Sequence, residues 1–263
     1  MASSRKQVLL VGALGRMGER VRAALEEHST LTLAAAVEAP GHPGLGRDTE
    51  SGIRVTDGSG AELSSADVVI DFSVPDSTLR HLRAASEAGI AYVTGTTGFD
   101  EPQRREIAQL AERIPVVHAA NFSLSVNLLV WLTRAAARVL GPEIDVELVE
   151  LHHAAKRDAP SGTAIRLAEA VAEARGEKLA DHLVLERAGE IGARPAGSIG
   201  IQTLRGGDNA GEHTVMFVGE GERLELTHRS QTRDHFASGA VLAADWLIGR
   251  EPGLYSMEQV LEL

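Results

Sequence analysis

Short apolar runs, each closed by turn residues, recur through the first half of this 263-residue chain and alternate with amphipathic stretches. Gln7 to Val11 reads QVLLV and stops at Gly12, and Arg16 to Glu27 follows with Met17, Val21, Ala24 and Leu25 at helical spacing. Further runs at Leu31 to Val37, Asp67 to Phe72, Ala91 to Thr94 and Pro115 to His118 read as strands, with helices over Pro75 to Ala88 and Glu101 to Arg113. Strands that are apolar throughout must be covered on both faces. Strand–helix units in series predict a parallel sheet whose ligand crevice lies at the carboxyl ends of its strands. The polar, glycine-rich interval after Glu38 reads as loop, with a short strand near Ile53 to Val55.

The pattern changes near Ser123, where a second domain is expected to start. Leu124 to Leu140 is a long, mostly apolar helix, and Ile144 to Leu151 (IDVELVEL) alternates as a strand does. Three extended runs, Ser198 to Leu204, His213 to Val218 and Arg223 to His228, are separated by RGGDNAG and GEGE. Glycine-rich turns between strands predict an antiparallel meander. His235 to Ile248 reads as a helix, and the tail beyond it carries helically spaced Leu254, Met257, Val260 and Leu261.

Two stretches carry chemistry. The first is GALGRMG, with Gly12, Gly15 and Gly18 set between a strand and a helix. Glycines let backbone approach a pyrophosphate, and the following helix turns its positive end toward the charge. Glu38 closes the second strand, where an acid accepts hydrogen bonds from ribose hydroxyls. Tight strand–helix packing alone would also explain the glycines, but strand, turn, helix and acid together favour a dinucleotide. Arg16 either reaches cofactor phosphate or faces water. TGTTGF (Thr94 to Phe99) and HAANFS (His118 to Ser123) end two later strands, where small residues and amides suit a nicotinamide.

The second stretch is ELHHAAKRDAPSGTA, Glu150 to Ala164. A strand delivers His152 and His153 at its end, and Ser161 caps a helix running to Ala174. Imidazole and ammonium groups then face a helix N-terminus, an arrangement that suits a small dianion. A zinc site is not expected, because the positions three and four residues after His152 are Ala155 and Lys156. The TRDHF stretch around Arg233 and His235 admits either a contact on closure or a surface role.

Composition excludes several functions. A net charge of −11 opposes binding to nucleic acid or an anionic membrane, and the absence of cysteine removes disulfides and thiol nucleophiles. MASSRKQ leads straight into a strand, and the apolar run from Leu124 is interrupted by Asn127, Thr133, Arg134 and Arg138, so no membrane span is expected and a cytoplasmic address is the simplest reading.

GALGRMG, DFSVP, GTTGF, AANFS, ELHHAAKRDAPSGTA and GGDNAGEHTVMF together resemble the 4-hydroxy-tetrahydrodipicolinate reductase (dihydrodipicolinate reductase) family over nearly the whole chain. The resemblance implies an α/β protein in two parts. One is a Rossmann-like parallel-sheet cofactor domain, residues 1–122 completed by 232–263. The other, residues 123–231, is an α/β substrate and oligomerisation domain with a mixed, largely antiparallel sheet, which builds a homotetramer. It implies reduction of a cyclic imine dicarboxylate by NADH or NADPH in lysine and diaminopimelate biosynthesis. His152 then matches the proton donor, Lys156 a group that assists protonation and binds carboxylate, His153 a substrate ligand, and Gly162 and Thr163 the holders of a carboxylate. Gly12, Ala13, Leu14, Gly15, Arg16, Met17, Glu38, Gly95, Thr96, Thr97, Ala119, Ala120, Asn121 and Phe122 match cofactor contacts.

Many members carry arginine directly after the ribose acid, and some offer a second where this chain has Val74. Here the first position is Ala39, followed by Pro40, so NADH is expected to serve at least as well as NADPH. Arg16 and His42 remain as nearby sources of positive charge. Another NAD-dependent amino-acid or hydroxy-acid dehydrogenase, or a dinucleotide sensor without catalysis, are the competing readings.

Overall fold

The computed structural model describes residues 5–58 and 62–263, so the start of MASSRKQ and residues 59–61 of the polar interval lie outside the described residues. The chain divides into two compact units, the first ending at Leu124 and resuming over Asp234–Leu263, the second Ser125–Arg233.

The first unit contains β1 (Lys6–Val11), α1 (Arg16–Glu27), β2 (Leu31–Val37), β3 (Val55–Thr56), β4 (Val68–Asp71), α2 (Pro75–Ala88), β5 (Ala91–Thr94), α3 (Glu101–Ala111) and β6 (Pro115–His118). Among the described residues its sheet has seven strands, all parallel, with β12 (Gly253–Tyr255) added from the last part of the chain, in the order β12-β6-β5-β4-β1-β2-β3. Two cores explain the unbroken apolar strands. Val8, Leu10, Val68 and Ile70 pack beneath Val21 and Leu25 of α1 and a row of alanines from the last long helix. Leu9, Val11, Val69 and Tyr92 point the other way, against Leu79 and Leu82 of α2 and Ile107 of α3. Alternate residues of each strand therefore serve opposite layers. Helix starts follow local chemistry: Asp100 and Gln103 form a reciprocal capping box on α3, and Pro75 opens α2.

The second unit is built on α4 (Leu124–Leu140), β7 (Asp145–His152), α5 (Gly162–Arg175), β8 (Leu183–Val184), β9 (Ile199–Arg205), β10 (Gly211–Val218) and β11 (Arg223–Ser230). Its mixed sheet has the order β11-β10-β7-β9-β8. The expected meander is corrected here. GEGE does join β10 to β11 as an antiparallel hairpin, but β9 and β10 are not neighbours, because β7 lies between them, parallel to β9 and antiparallel to β10. RGGDNAG is thus no hairpin turn. It crosses the end of β7 and bonds to it: Gly206 N–H donates to the His152 carbonyl (2.9 Å), His153 N–H to that of Asn209 (2.8 Å) and Ala154 N–H to that of Gly207 (3.1 Å). The five-residue link, residues 206–210, readily spans two strand spacings of about 4.8 Å each, and the central place goes to the strand with the strictest inward alternation. Leu167 and Val171 of α5 and Leu129 and Val130 of α4 pack on Val146, Leu148, Ile201 and Val215. On the opposite face Arg187 donates to both oxygens of Glu147 (2.6 and 2.7 Å) and Arg194 adds a third bond (3.0 Å), tying the stretch after β8 to the sheet.

The chain ends with α6 (Asp234–Leu247), β12 (Gly253–Tyr255) and α7 (Met257–Val260). The tail, read as helical, instead opens with an edge strand beside β6, since Leu254 and Tyr255 extend the sheet before Ser256 caps a single turn. Among the described residues, no helix is long and apolar enough to cross a membrane.

Candidate active site

In the first unit, the β1–α1 turn is tight for a physical reason. Gly12 has φ +76°, and a Cβ there would lie 2.9 Å from the Phe72 carbonyl oxygen; at Gly18 it would lie 2.2 Å from that of Gly12. Any side chain would push α1 off the sheet. Ala13 is buried, Leu14 and Met17 are half-buried, and Gly15 and Arg16 are exposed at the helix start. The Glu38 carboxylate accepts from the N–H groups of Leu14 (3.0 Å) and Ala39 (2.9 Å), so the strand-end acid braces the glycine turn. A cleft of about 220 Å³ opens beside it, lined by Gly12, Gly15, Glu38, Ala39, Val74 and His81 among others.

His81 was not singled out from sequence. It is buried on α2, its Nδ1 lies 2.8 Å from the Ser77 carbonyl, and its Nε2 has no hydrogen-bond partner. Asp71 was also missed. Fully buried at the end of β4, it accepts from the Tyr92 hydroxyl (2.6 Å) and from Ser73 N–H (2.8 Å), fixing the DFSVP turn. Thr78 donates to the buried Thr96 hydroxyl (2.8 Å), between half-buried Gly95 and exposed Thr97. Ala119 N–H donates to the Thr94 carbonyl (3.2 Å), Ala120 is exposed, Asn121 accepts from Ser123 N–H (2.8 Å), and Phe122 meets the Phe72 ring edge-on.

The second cluster grows from the alternation of β7. Val146 and Leu148 face inward as core, and the same period carries Glu150 and His152 inward at the strand's end, where apolar packing gives way to polar groups. Neighbouring strands supply matched residues: Thr203 of β9 and His213 of β10 stand opposite Glu150, and Arg205 stands opposite His152. Glu150, fully buried, accepts from Ser161 N–H (3.0 Å), the Thr203 hydroxyl (3.2 Å), both terminal nitrogens of Arg205 (2.9 and 3.0 Å) and, in a short contact, His152 Nδ1. Left unpaired at that depth, a carboxylate would be strongly destabilising. Burial works to raise the Glu150 carboxyl, yet the bonds from Arg205, His152 and Ser161 outweigh it and hold it below the usual carboxylate range.

Burial pulls the His152 imidazole below its ordinary value, and the Lys156 and Arg205 charges push the same way against the bond to Glu150. His213 packs edge-on against it with ring centres 5.1 Å apart, and its Nε2 lies 3.0 Å from the Ser161 hydroxyl. Burial, with the charge of His152 added, pushes His213 down to about 4, so it is neutral at physiological pH. Ser161 caps α5 as expected, its hydroxyl accepting from Ala164 N–H (3.1 Å). Gly162, exposed, and Thr163 begin that helix; His153 is half-buried at the end of β7. The Lys156 ammonium donates to both oxygens of exposed Asp158 (2.9 and 2.8 Å).

His152, His153, Lys156, Gly162 and Thr163 therefore lie within one unit around the end of β7, and the expected cofactor residues within the other. Glu150, Arg205 and His213 complete the polar cluster without having been singled out. The period of two in β7 and β10 was the signal that could have found Glu150 and His213. Among the described residues, no group of three or more His, Cys, Asp or Glu is placed to hold a metal ion.

A doubly wound parallel sheet with a glycine turn, joined in one chain to a sheet that ends in buried histidine and carboxylate, defines a dinucleotide-binding oxidoreductase. Comparison with known proteins narrows the class. Residues 6–122 match the dihydrodipicolinate reductase N-terminus family and residues 125–261 the dihydrodipicolinate reductase C-terminus family. The 4-hydroxy-tetrahydrodipicolinate reductase of Anaeromyxobacter dehalogenans (strain 2CP-1) is 48% identical over 98% of each chain. That of Ralstonia pickettii (strain 12J) is 48% identical over 98% of this chain and all of its own. A dipicolinate-bound dihydrodipicolinate reductase from Paenisporosarcina sp. TG-14 shares the fold, with TM-score 0.79 at 24% identity, covering 96% of this chain and 97% of that one. The chain belongs to the dihydrodipicolinate reductase family, whose enzymes reduce 4-hydroxy-tetrahydrodipicolinate to tetrahydrodipicolinate with NADH or NADPH in lysine and diaminopimelate biosynthesis.

Proposed function

We propose that this chain reduces 4-hydroxy-tetrahydrodipicolinate with His152 as proton donor, Lys156 as the cation that binds a substrate carboxylate and assists protonation, His153 as a substrate ligand, and Gly162 and Thr163 as holders of a carboxylate. The observation that carries this reading is the placement of His152: Nδ1 is committed to Glu150, Nε2 is the remaining proton-transfer atom, and the start of α5 is tied to the same carboxylate. A dianion beside the ring adds negative charge and raises the imidazole toward the working pH, opposing burial. Lys156 exchanges Asp158 for substrate carboxylate and stabilises the negative charge that develops during reduction.

The cofactor reading rests on the first unit's geometry. The glycines keep the space beside α1 open, the helix start faces a pyrophosphate, and Glu38 has acceptor capacity left for ribose hydroxyls after its two backbone bonds. His81 lines the same cleft, its Nε2 buried and without a hydrogen-bond partner. Gly12 to Met17, Gly95 to Thr97 and Ala119 to Phe122 complete the cradle. When bound, the reduced nicotinamide supplies the hydride. NADH serves at least as well as NADPH, because the cleft lining includes Ala39 and Val74, contains no lysine or arginine among the described residues, and presents Glu38 to a 2′-phosphate.

The residues before Ser123 with those after 231 hold the cofactor, and the residues between hold substrate. A homotetramer is the expected assembly, formed through the sheet face turned away from α5, where Leu204 and Val218 are exposed. A chain without cysteine suits the cytoplasm. The test is an assay coupled to the synthase that generates the cyclic substrate, following loss of reduced nicotinamide absorbance with each cofactor. Turnover with this substrate and none with linear keto acids is expected; the reverse would overturn the assignment.

A further inference from the structure

Five donors converge on Glu150, more than charge neutralisation demands. Arg205 alone would balance the carboxylate, and it has other acceptors in the carbonyls of Leu204 and Asp158, both at 2.7 Å. The remaining donors come from the functional elements: the His152 ring, the first N–H of the turn entering α5, and Thr203 of β9. An ionised carboxylate only accepts hydrogen bonds, so the ring nitrogen facing it must carry the hydrogen. That leaves Nε2 as the single atom of His152 able to gain or lose a proton. Nε2 lies on the Gly211 side of the ring, away from Glu150.

We propose that Glu150 is the positioning residue of the proton donor, fixing the tautomer and orientation of His152 through one oxygen and tying that ring to the start of α5 through the other. This rests on the assignment of His152 as donor. The charged and titratable groups around the ring come from every element packed on it: Glu150 on β7, Lys156 with its partner Asp158 and His153 in the following loop, Arg205 on β9 and neutral His213 on β10, behind which stands His228 of β11. Among the described residues, Glu150 alone bonds directly to the ring and favours its protonated form; Lys156 and Arg205 oppose it. Replacing the carboxylate by an amide therefore lowers the proton affinity of His152 while leaving an oxygen for Ser161 N–H.

The test uses the full-length protein with ¹⁵N-labelled histidine, the His152 signals being assigned by their loss in His152→Gln. The wild type should show a neutral His152 ring protonated at Nδ1. In Glu150→Gln, the His152 titration and the basic limb of the kcat profile should both move to lower pH by about one unit or more, a roughly tenfold loss of kcat above neutrality that narrows in acid, with substrate KM changed less than about threefold. An Nε2-protonated neutral ring in the wild type overturns the proposal, and this arm decides it even if Glu150→Gln does not fold. An unshifted His152 titration in folded Glu150→Gln also overturns it. Neither readout depends on which group donates the proton, so failure of the donor assignment, seen as normal turnover in His152→Gln, is distinguishable.

Discussion

Gly211 offers the sharpest test of how tightly His152, the proposed proton donor, is held. It opens β10 with φ +143°, and a Cβ built on it would lie 2.9 Å from His152 Nε2 and 3.2 Å from Cδ2, whereas ordinary contact begins at 3.4 Å. In Gly211→Ala the ring must therefore retreat by about half an ångström. It cannot do so freely, since Nδ1 is bonded to Glu150 and the His213 ring packs 5.1 Å away. A displacement of about 1 Å at a reacting group costs on the order of a hundredfold in rate, so half that distance predicts a fall in kcat of about tenfold, or ~1.4 kcal/mol of barrier. Cofactor KM should be unchanged. The backbone strain of alanine at positive φ adds a stability loss of about 1–3 kcal/mol, and Gly207→Ala separates the two effects. Gly207 lies in the same loop with φ +57° and nothing within 4 Å of its Cβ position, so its alanine variant should lose stability yet keep kcat within about twofold. Steady-state kinetics and thermal melting of both variants provide the assay. Equal kcat in the two variants would refute the claim that His152 geometry limits the rate.

Two further outcomes follow from cofactor selection and from buried histidine. Ala39→Arg should improve kcat/KM for NADPH by about tenfold with little change for NADH, and the gain should shrink with added salt, because a phosphate contact is screened. His213 is depressed to about 4 in the folded protein, so the unfolded chain binds more protons below about pH 6.5. Its contribution to stability is therefore present above that pH and is lost as pH falls toward 4, by at most about 1.4 kcal/mol per unit. Urea unfolding at pH 7.5, 6 and 5 should show His213→Gln losing less stability with acid than the wild type, and parallel losses would contradict this origin.

What could be read from the sequence depended on how local its cause was. The strands from Gln7 to His118 announce themselves because burial on both faces demands unbroken apolar runs, and α5 because Ser161 and the alanine-rich spacing act over a few residues. Sheet order is not local: RGGDNAG carries the composition of a hairpin turn, and nothing in it reveals that β7 lies beneath. The edge strands β8 and β12, two and three residues long, are too short to show a period. Glu150 was legible in principle, since it shares the inward period of Val146 and Leu148, but acids on alternating strands ordinarily face water. Its burial depends on Arg205 and Thr203, brought alongside only by the β7–β9 pairing. Glu38 shows the converse, a strand-end acid whose position is plain in sequence but whose bond to the glycine turn is not.

The proposed proton delivery by His152 is read most plainly from the kcat of His152→Gln with the synthase-generated substrate at saturating cofactor. Loss of a positioned acid lowers kcat by about a hundredfold or more, with a far smaller effect on KM. A near-normal kcat would rule out His152 as the proton donor.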